Sequence, residues 1–143
     1  MKPAIGKRYV YYQNYCIYVG RGYIKLDEVM ELLRQTYWAD KRSEELTLRS
    51  INHSRCYGVR DKDLKLVGFA RVITDYATTY YLCDVIIEKN HQHLGLGKEL
   101  MRFIIEDQDL SGLSGMLVTE NAHHFYEKFG FVRAGARFMQ RVV

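Results

Sequence analysis

The segment Gln92-His93-Leu94-Gly95-Leu96-Gly97-Lys98 joins an apolar run, Tyr80 to Ile87, to a stretch in which Leu96, Leu100, Phe103, Ile104 and Asp107 recur at helical spacing. An apolar run of that length predicts a strand buried on both faces. A turn with two glycines between strand and helix points several main-chain N–H groups at one place, and the positive end of the helix adds to them. The chemistry expected there is phosphate binding, because Gly95 and Gly97 lack a Cβ and let an anion approach the main chain. A P-loop needs Ser or Thr after Gly-Lys, whereas Glu99 follows Gly97-Lys98. A dinucleotide fingerprint needs a third glycine where Leu100 stands. Inside the apolar run lies Asp84, and an unpaired carboxylate there would cost several kcal/mol. Asp84 therefore needs a partner, a wet cavity or the open side of the strand, either as a general base working through water or as a structural hydrogen-bond acceptor. His91 and His93 flank the turn without a carboxylate cluster, which argues against a metal site.

The elements that position these residues follow from the flanking sequence. Arg8 to Val19, rich in tyrosine and β-branched residues, predicts the first strand. Asp27 is a candidate cap for a helix to about Tyr37 with Val29, Leu32, Leu33 and Thr36 inward. Ser43 is a candidate cap for a second helix, Glu44 to about His53, whose weak apolar stripe suits a position over the edge of a site. Cys56 to Arg60 and Leu64 to Ile73 read as a hairpin turning at Asp61-Lys62-Asp63. Beyond the central helix come a short strand, Met116 to Thr119, and a short helix, Ala122 to Phe129, with Asn121 as its cap and a Schellman ending at Gly130-Phe131. A last strand pair, Phe131 to Ala134 and Arg137 to Val142, turns at Gly135.

Length and composition frame this as one α/β domain spanning residues 1–143, with 48% hydrophobic and 27% charged residues. The net charge of +4 is dispersed, and no motif reads nucleic acid. No apolar run is long enough to span a membrane and no signal peptide is evident, so a cytoplasmic location is expected. Cys16, Cys56 and Cys83 lie far apart, which argues against a disulfide framework or a CxxC knuckle.

The Gln92-x-x-Gly95-x-Gly97 turn after a buried strand resembles the acyl-CoA pyrophosphate loop of the GCN5-related N-acetyltransferase (GNAT) family. Phe125-Tyr126-Glu127-Lys128-Phe129-Gly130-Phe131 resembles the family's Tyr-Glu-Lys-x-Gly-Phe segment, at the expected distance after that loop. Tyr37-Trp38-Ala39 and Leu82-Cys83-Asp84-Val85 are similar to a small single-domain, bacterial-type subgroup. The resemblance implies a mixed central sheet of about six to seven strands flanked by about four helices, and an acetyl-CoA-dependent N-acetyltransferase acting on a primary amine, small-molecule or protein, by direct attack in a ternary complex. A CoA-binding sensor module of the same fold without turnover is the other reading. A homodimer is left open.

The resemblance also implies residue roles. Val85, Ile86 and Ile87 would hold the pantetheine arm with their main chain, and a backbone N–H at Val85 or Ile86 would donate to the carbonyl oxygen as it gains charge. Gln92, His93, Leu94, Gly95, Leu96, Gly97 and Lys98 would hold the pyrophosphate. Tyr126 would face the sulfur and protonate the departing thiolate, the reference values being about 10 for a phenol and 8.5 for a thiol. Where the family often has Asn seven residues before the tyrosine, Thr119 stands; Asn121 either supplies that contact or only caps its helix. Asp84 would be the base toward the amine unless its role is structural. Cys83 is the only well-placed thiol for a covalent route. His123 would line the acceptor site or be an ordinary helix histidine. Tyr37 and Trp38 would border the acceptor, unless Trp38 plugs the core.

Overall fold

The computed structural model describes residues 8–143. Its strands lie side by side in chain order: β1 (Tyr9–Tyr12), β2 (Tyr15–Val19), β3 (Arg55–Arg60), β4 (Leu66–Thr74), β5 (Thr79–Ile87) and β6 (Ser114–Met116). Neighbours are antiparallel from β1 to β5, and β5 and β6 are parallel. Helices α1 (Leu26–Leu33) and α2 (Glu44–Asn52) lie between β2 and β3, α3 (Leu96–Ile105) crosses from β5 to β6, and α4 (His123–Glu127) follows β6. This mixed sheet and its four α-helices carry the α/β fold expected from the sequence. No helix among the described residues is long and apolar enough to cross a membrane.

The sheet is covered on both sides. Leu96, Leu100, Met101 and Ile104 of α3 pack with Val67, Ala70, Val72 and Leu82 on one face. Val29, Leu32 and Leu33 of α1 and Ile51 of α2 pack with Leu66 and Phe69 on the other. A helix with one such stripe is held mainly by this burial rather than by its own propensity.

Several boundaries differ from the sequence expectations. Arg8 to Val19 is a hairpin, because Gln13 adopts a positive φ of 52° and closes a two-residue turn between the paired Tyr12 and Tyr15. The strand buried on both faces is β4; β5 alternates between buried and half-buried positions. Lys25, not Asp27, precedes α1, and no side chain caps it. The helix ends at Leu33, where buried Thr36 donates through Oγ1 to the Leu33 carbonyl (2.7 Å) and accepts from the Ala39 N–H (3.1 Å). That turn throws Tyr37 and Trp38 outward. The Ser43 cap is present, its Oγ accepting from Leu46 N–H at 3.2 Å, and Thr47 and Ile51 are the buried residues of α2. The strand expected at Met116 to Thr119 ends at Met116 instead. Asn121 does not cap α4: the Ala122 N–H donates to Thr119 Oγ1 at 3.0 Å. The Schellman ending is formed, with Phe131 N–H on the Tyr126 carbonyl (3.4 Å), Gly130 N–H on that of Glu127 (3.2 Å) and Gly130 at φ 90°. No strand follows β6 among the described residues, since Val132, Met139 and Val142 find no surface to cover them and remain exposed.

A polar clamp joins β3 to the end of α3. Arg55 donates to Asp107 through Nε (2.8 Å) and Nη2 (3.3 Å), and the Tyr57 hydroxyl donates to the same carboxylate at 2.6 Å. Asp107 thus ends the helical stripe as a largely buried acceptor, and its removal strands two donors. Asp107→Ala is expected to lower the unfolding free energy by about 2–4 kcal/mol in urea titrations; a loss under about 0.5 kcal/mol would show the clamp to be ornamental.

Candidate functional site

The glycine turn is built as the sequence suggests. Gly95 stands at φ 84°, in the left-handed region, as the residue before α3. The N–H groups of Gly95, Leu96, Gly97 and Lys98 have no acceptor among the described residues, and Glu99 N–H begins the helical ladder on the Gly95 carbonyl (3.1 Å). Gln92 Nε2 donates to the Ile87 carbonyl (3.0 Å) and fastens the turn to the end of β5. From the first hairpin, Tyr12 donates its hydroxyl to the Leu94 carbonyl at 2.9 Å. Leu96 is buried in the core, whereas His93, Leu94 and Lys98 are exposed. A Cβ on Gly97 would lie at ordinary contact distance from Phe125, 3.5 Å, so packing alone does not demand glycine there. Free amides, a helix N-terminus and an open approach fit a pyrophosphate.

From this turn the open edge of β5 leads inward. β6 pairs with β5 only through Thr79↔Ser114, Tyr80↔Gly115 and Tyr81↔Met116. Beyond Tyr81 the two parallel strands no longer pair, so among the described residues β5 from Leu82 to Ile87 has no paired strand on that side. Half-buried Val85, Ile86 and Ile87 lie along this opening. An extended arm with amide groups can add there as a strand would.

A bulge interrupts β5 at the middle of the opening. Phe69 pairs with Ile86 and Arg71 with Cys83, which leaves Asp84 and Val85 together opposite Ala70. Asp84 carries the irregularity at φ 56°. Its side chain is 2% exposed and fully engaged. Arg42 donates to it twice (Nη1 at 2.7 Å, Nη2 at 3.2 Å), Arg71 Nε at 3.0 Å and Trp38 Nε1 at 3.2 Å. Burial pushes the carboxyl upward, but the Arg42 hydrogen bonds and the charges of Arg71 and Arg42 outweigh it and hold Asp84 below the ordinary aspartate value. Such a carboxylate is a weak base with no free lone pair aimed at an amine. This geometry speaks for the structural reading of Asp84 and against the base reading.

On the far side of the opening stands Tyr126, half-buried on α4. Burial pushes its hydroxyl up to about 12, and Tyr37 lies near enough to add to that effect. Tyr37 and Trp38 meet edge to face with ring centroids 5.0 Å apart. Trp38 is 44% exposed and so is not a core plug. Tyr37 and Trp38 are thereby tied to Asp84 through the Trp38 indole, with Tyr126 in their neighbourhood. His123, half-buried at the start of α4, has no hydrogen-bond partner among the described residues, and exposed Asn121 likewise has none. Burial raises the Cys83 thiol to about 11, which keeps it protonated at neutral pH and works against a covalent cysteine route.

Residues 26–131 match the acetyltransferase (GNAT) family model. The chain belongs to the GNAT family. A GNAT-family protein of known structure from Xanthomonas campestris pv. campestris is 35% identical and superposes with a TM-score of 0.81, over 89% of this chain and 93% of that one. An N-acetyltransferase designated ycf52 from Pyropia yezoensis is 28% identical over 115 residues, 77% of this chain and 66% of its own length. GCN5-related N-acetyltransferase 2, chloroplastic, from Arabidopsis thaliana is 29% identical over 77 residues, 52% of this chain and 30% of that protein. The chain thus spans two thirds or less of the length of these two curated relatives.

Arg42 and Arg71 were not singled out from the sequence. Their signal was available: an arginine inside the apolar run Leu66 to Ile73 needs an acid, and the adjacent strand offers Asp84. Asp84→Asn would leave two guanidiniums without their anion and is expected to cost about 3–5 kcal/mol of stability at pH 7. Because the folded carboxyl titrates below its unfolded value, this advantage is complete above about pH 5 and is lost as pH falls through the folded value. Urea unfolding of both proteins from pH 7 to pH 3 checks this; a gap that does not narrow in acid contradicts it.

Proposed function

We propose that this GNAT chain is an acetyl-CoA-dependent N-acetyltransferase that acylates a primary amine by direct attack. The observation that carries the reading is the opened edge of β5, with free amides of the glycine turn at one end and the Tyr126–Tyr37–Trp38 lining beside it. In this reading the Gln92 to Lys98 turn receives the pyrophosphate and the main chain of Val85 to Ile87 aligns the pantetheine. Acetyl-CoA supplies the activated acyl carbon. A neutral amine forms the new C–N bond, the C–S bond breaks, and the proton shed by nitrogen balances the one gained by sulfur.

The raised phenol of Tyr126 refines its role. With its hydroxyl near 12 and a thiol near 8.5, complete transfer of the phenolic proton to sulfur is uphill. Tyr126 therefore acts as a hydrogen-bond donor that stabilises charge growing on the leaving sulfur, while the amine proton completes the exchange. Because its hydroxyl stays protonated through about pH 10, no loss of kcat below that pH arises from Tyr126.

Tyr126→Phe is expected to lower kcat on the order of 10²-fold with acetyl-CoA affinity nearly unchanged. Unchanged turnover, with chemistry rate-limiting, would remove Tyr126 from the reaction. Acetyl-CoA at a hundredfold over its Kd should stabilise the fold by about 2.7 kcal/mol, and Gly97→Glu should erase that shift. Calorimetry that detects no acetyl-CoA binding to the wild-type chain would end the proposal; binding without CoA release over an amine panel would favour a sensor.

A further inference from the structure

A groove of about 330 Å³ runs between α2 and the end of β4, lined by Leu46, Arg49, Ser50, His53, Arg71 and Ile73, with Ser54 beside Arg71. Its walls include two outward apolar side chains, Leu46 and Ile73, and no carboxylate lines it. Arg49 is an exposed rim residue already paired with Glu45 at 2.9 Å. Arg71, in contrast, is nine-tenths buried. Its Nε donates to Asp84 (3.0 Å) and its Nη1 to Ser54 Oγ (3.1 Å), whereas Nη2 has no partner among the described residues.

The charge count there is unbalanced. Two guanidiniums, Arg42 and Arg71, converge on the single carboxylate of Asp84, whose oxygens are also taken up by Trp38. The cluster therefore carries a net positive charge, and Arg71, the more buried of its two guanidiniums, gains from an anion that approaches it. A guanidinium with a free donor is suited to a carboxylate, whose planar pair of oxygens matches its fork. The groove is linked to Trp38 and its neighbour Tyr37 through Arg71 and Asp84.

Resting on the acetyltransfer reading above, we propose that the acceptor is an amine bearing a carboxylate on an apolar body, with Arg71 as the residue that selects it. The carboxylate meets Arg71 at the floor of the groove, the apolar body lies between Leu46 and Ile73, and the amine extends toward Tyr126.

Two measurements on the whole chain test this. The first compares CoA release for linear amino carboxylates of two to six carbons with that for the decarboxylated amines of matched length. The best acid is expected to exceed its neutral partner at least tenfold in kcat/KM. Arg71→Gln should largely remove the preference, and so should Ile73→Glu, which places a tethered anion in the groove and leaves the arginine cluster intact. Equal rates across the pairs, with turnover of acetyl-CoA intact, would overturn the inference and leave acetyl transfer standing. The second needs no turnover: fluorescence of Trp38, the single tryptophan, follows binding of N-acetylleucine and of its neutral amide in the presence of CoA. Binding of the acid at least tenfold tighter, weakened by Ile73→Glu, supports the groove even if no acetyl-CoA is consumed. Equal binding, or none by either, refutes it.

Discussion

A carboxylate with almost no access to water, held by two guanidiniums and an indole, fixes the middle of this protein. Asp84 sits where β5 takes an extra residue and its backbone turns left-handed, a conformation costing on the order of 1 kcal/mol or more for a residue with a side chain. The surrounding hydrogen bonds make that conformation tolerable. Because of the extra residue, Tyr80 and Leu82 before the bulge and Val85 and Ile87 after it all pack toward the α3 side. Without it, alternation would send the second pair to the opposite face.

The same carboxylate reaches outside the sheet. Arg42 and Trp38 belong to the connection from α1 to α2, a segment with no regular structure of its own beyond turns. Their bonds to Asp84 dock that connection on β5 and bring the Tyr37–Trp38 pair toward α4. Under the proposed acetyl transfer, the donor and acceptor sides of the cleft would share one anchor. The donor side would rely on main-chain groups, which suits a cofactor handle that is constant. The acceptor side would rely on side chains, where specificity can be set by few substitutions.

The glycine turn was legible in the sequence because its geometry is local. Gly95, Gly97 and Gln92 are neighbours in the chain, and a turn between strand and helix has few alternatives. Asp84 could be flagged as anomalous from its apolar surroundings, but its partners lie 13 and 42 residues away, at Arg71 and Arg42. Only folding brings them together. Asn121 does not cap α4 because the helix begins after Ala122, whose N–H is held by Thr119 Oγ1, and that entry depends on how the chain leaves β6. The helix expected to reach Tyr37 ended early through Thr36, whose buried hydroxyl captures the Leu33 carbonyl, an effect that apolar periodicity does not report.

Strand order equal to chain order has a consequence for how the molecule is made. From β1 to β5 each strand pairs with the one just synthesised, so the sheet can grow in register as the chain emerges, with few distant segments to be gathered at once. The longest returns among the described residues are the bonds to the first hairpin, Tyr12 to Leu94 and Tyr15 to His91, which span 82 and 76 residues. Those contacts close only after the chain from His91 to Leu94 has been translated. The glycine turn is thus assembled late against a surface laid down first, and a nascent chain holding β1 to β5 would own most of its sheet before that turn has closed.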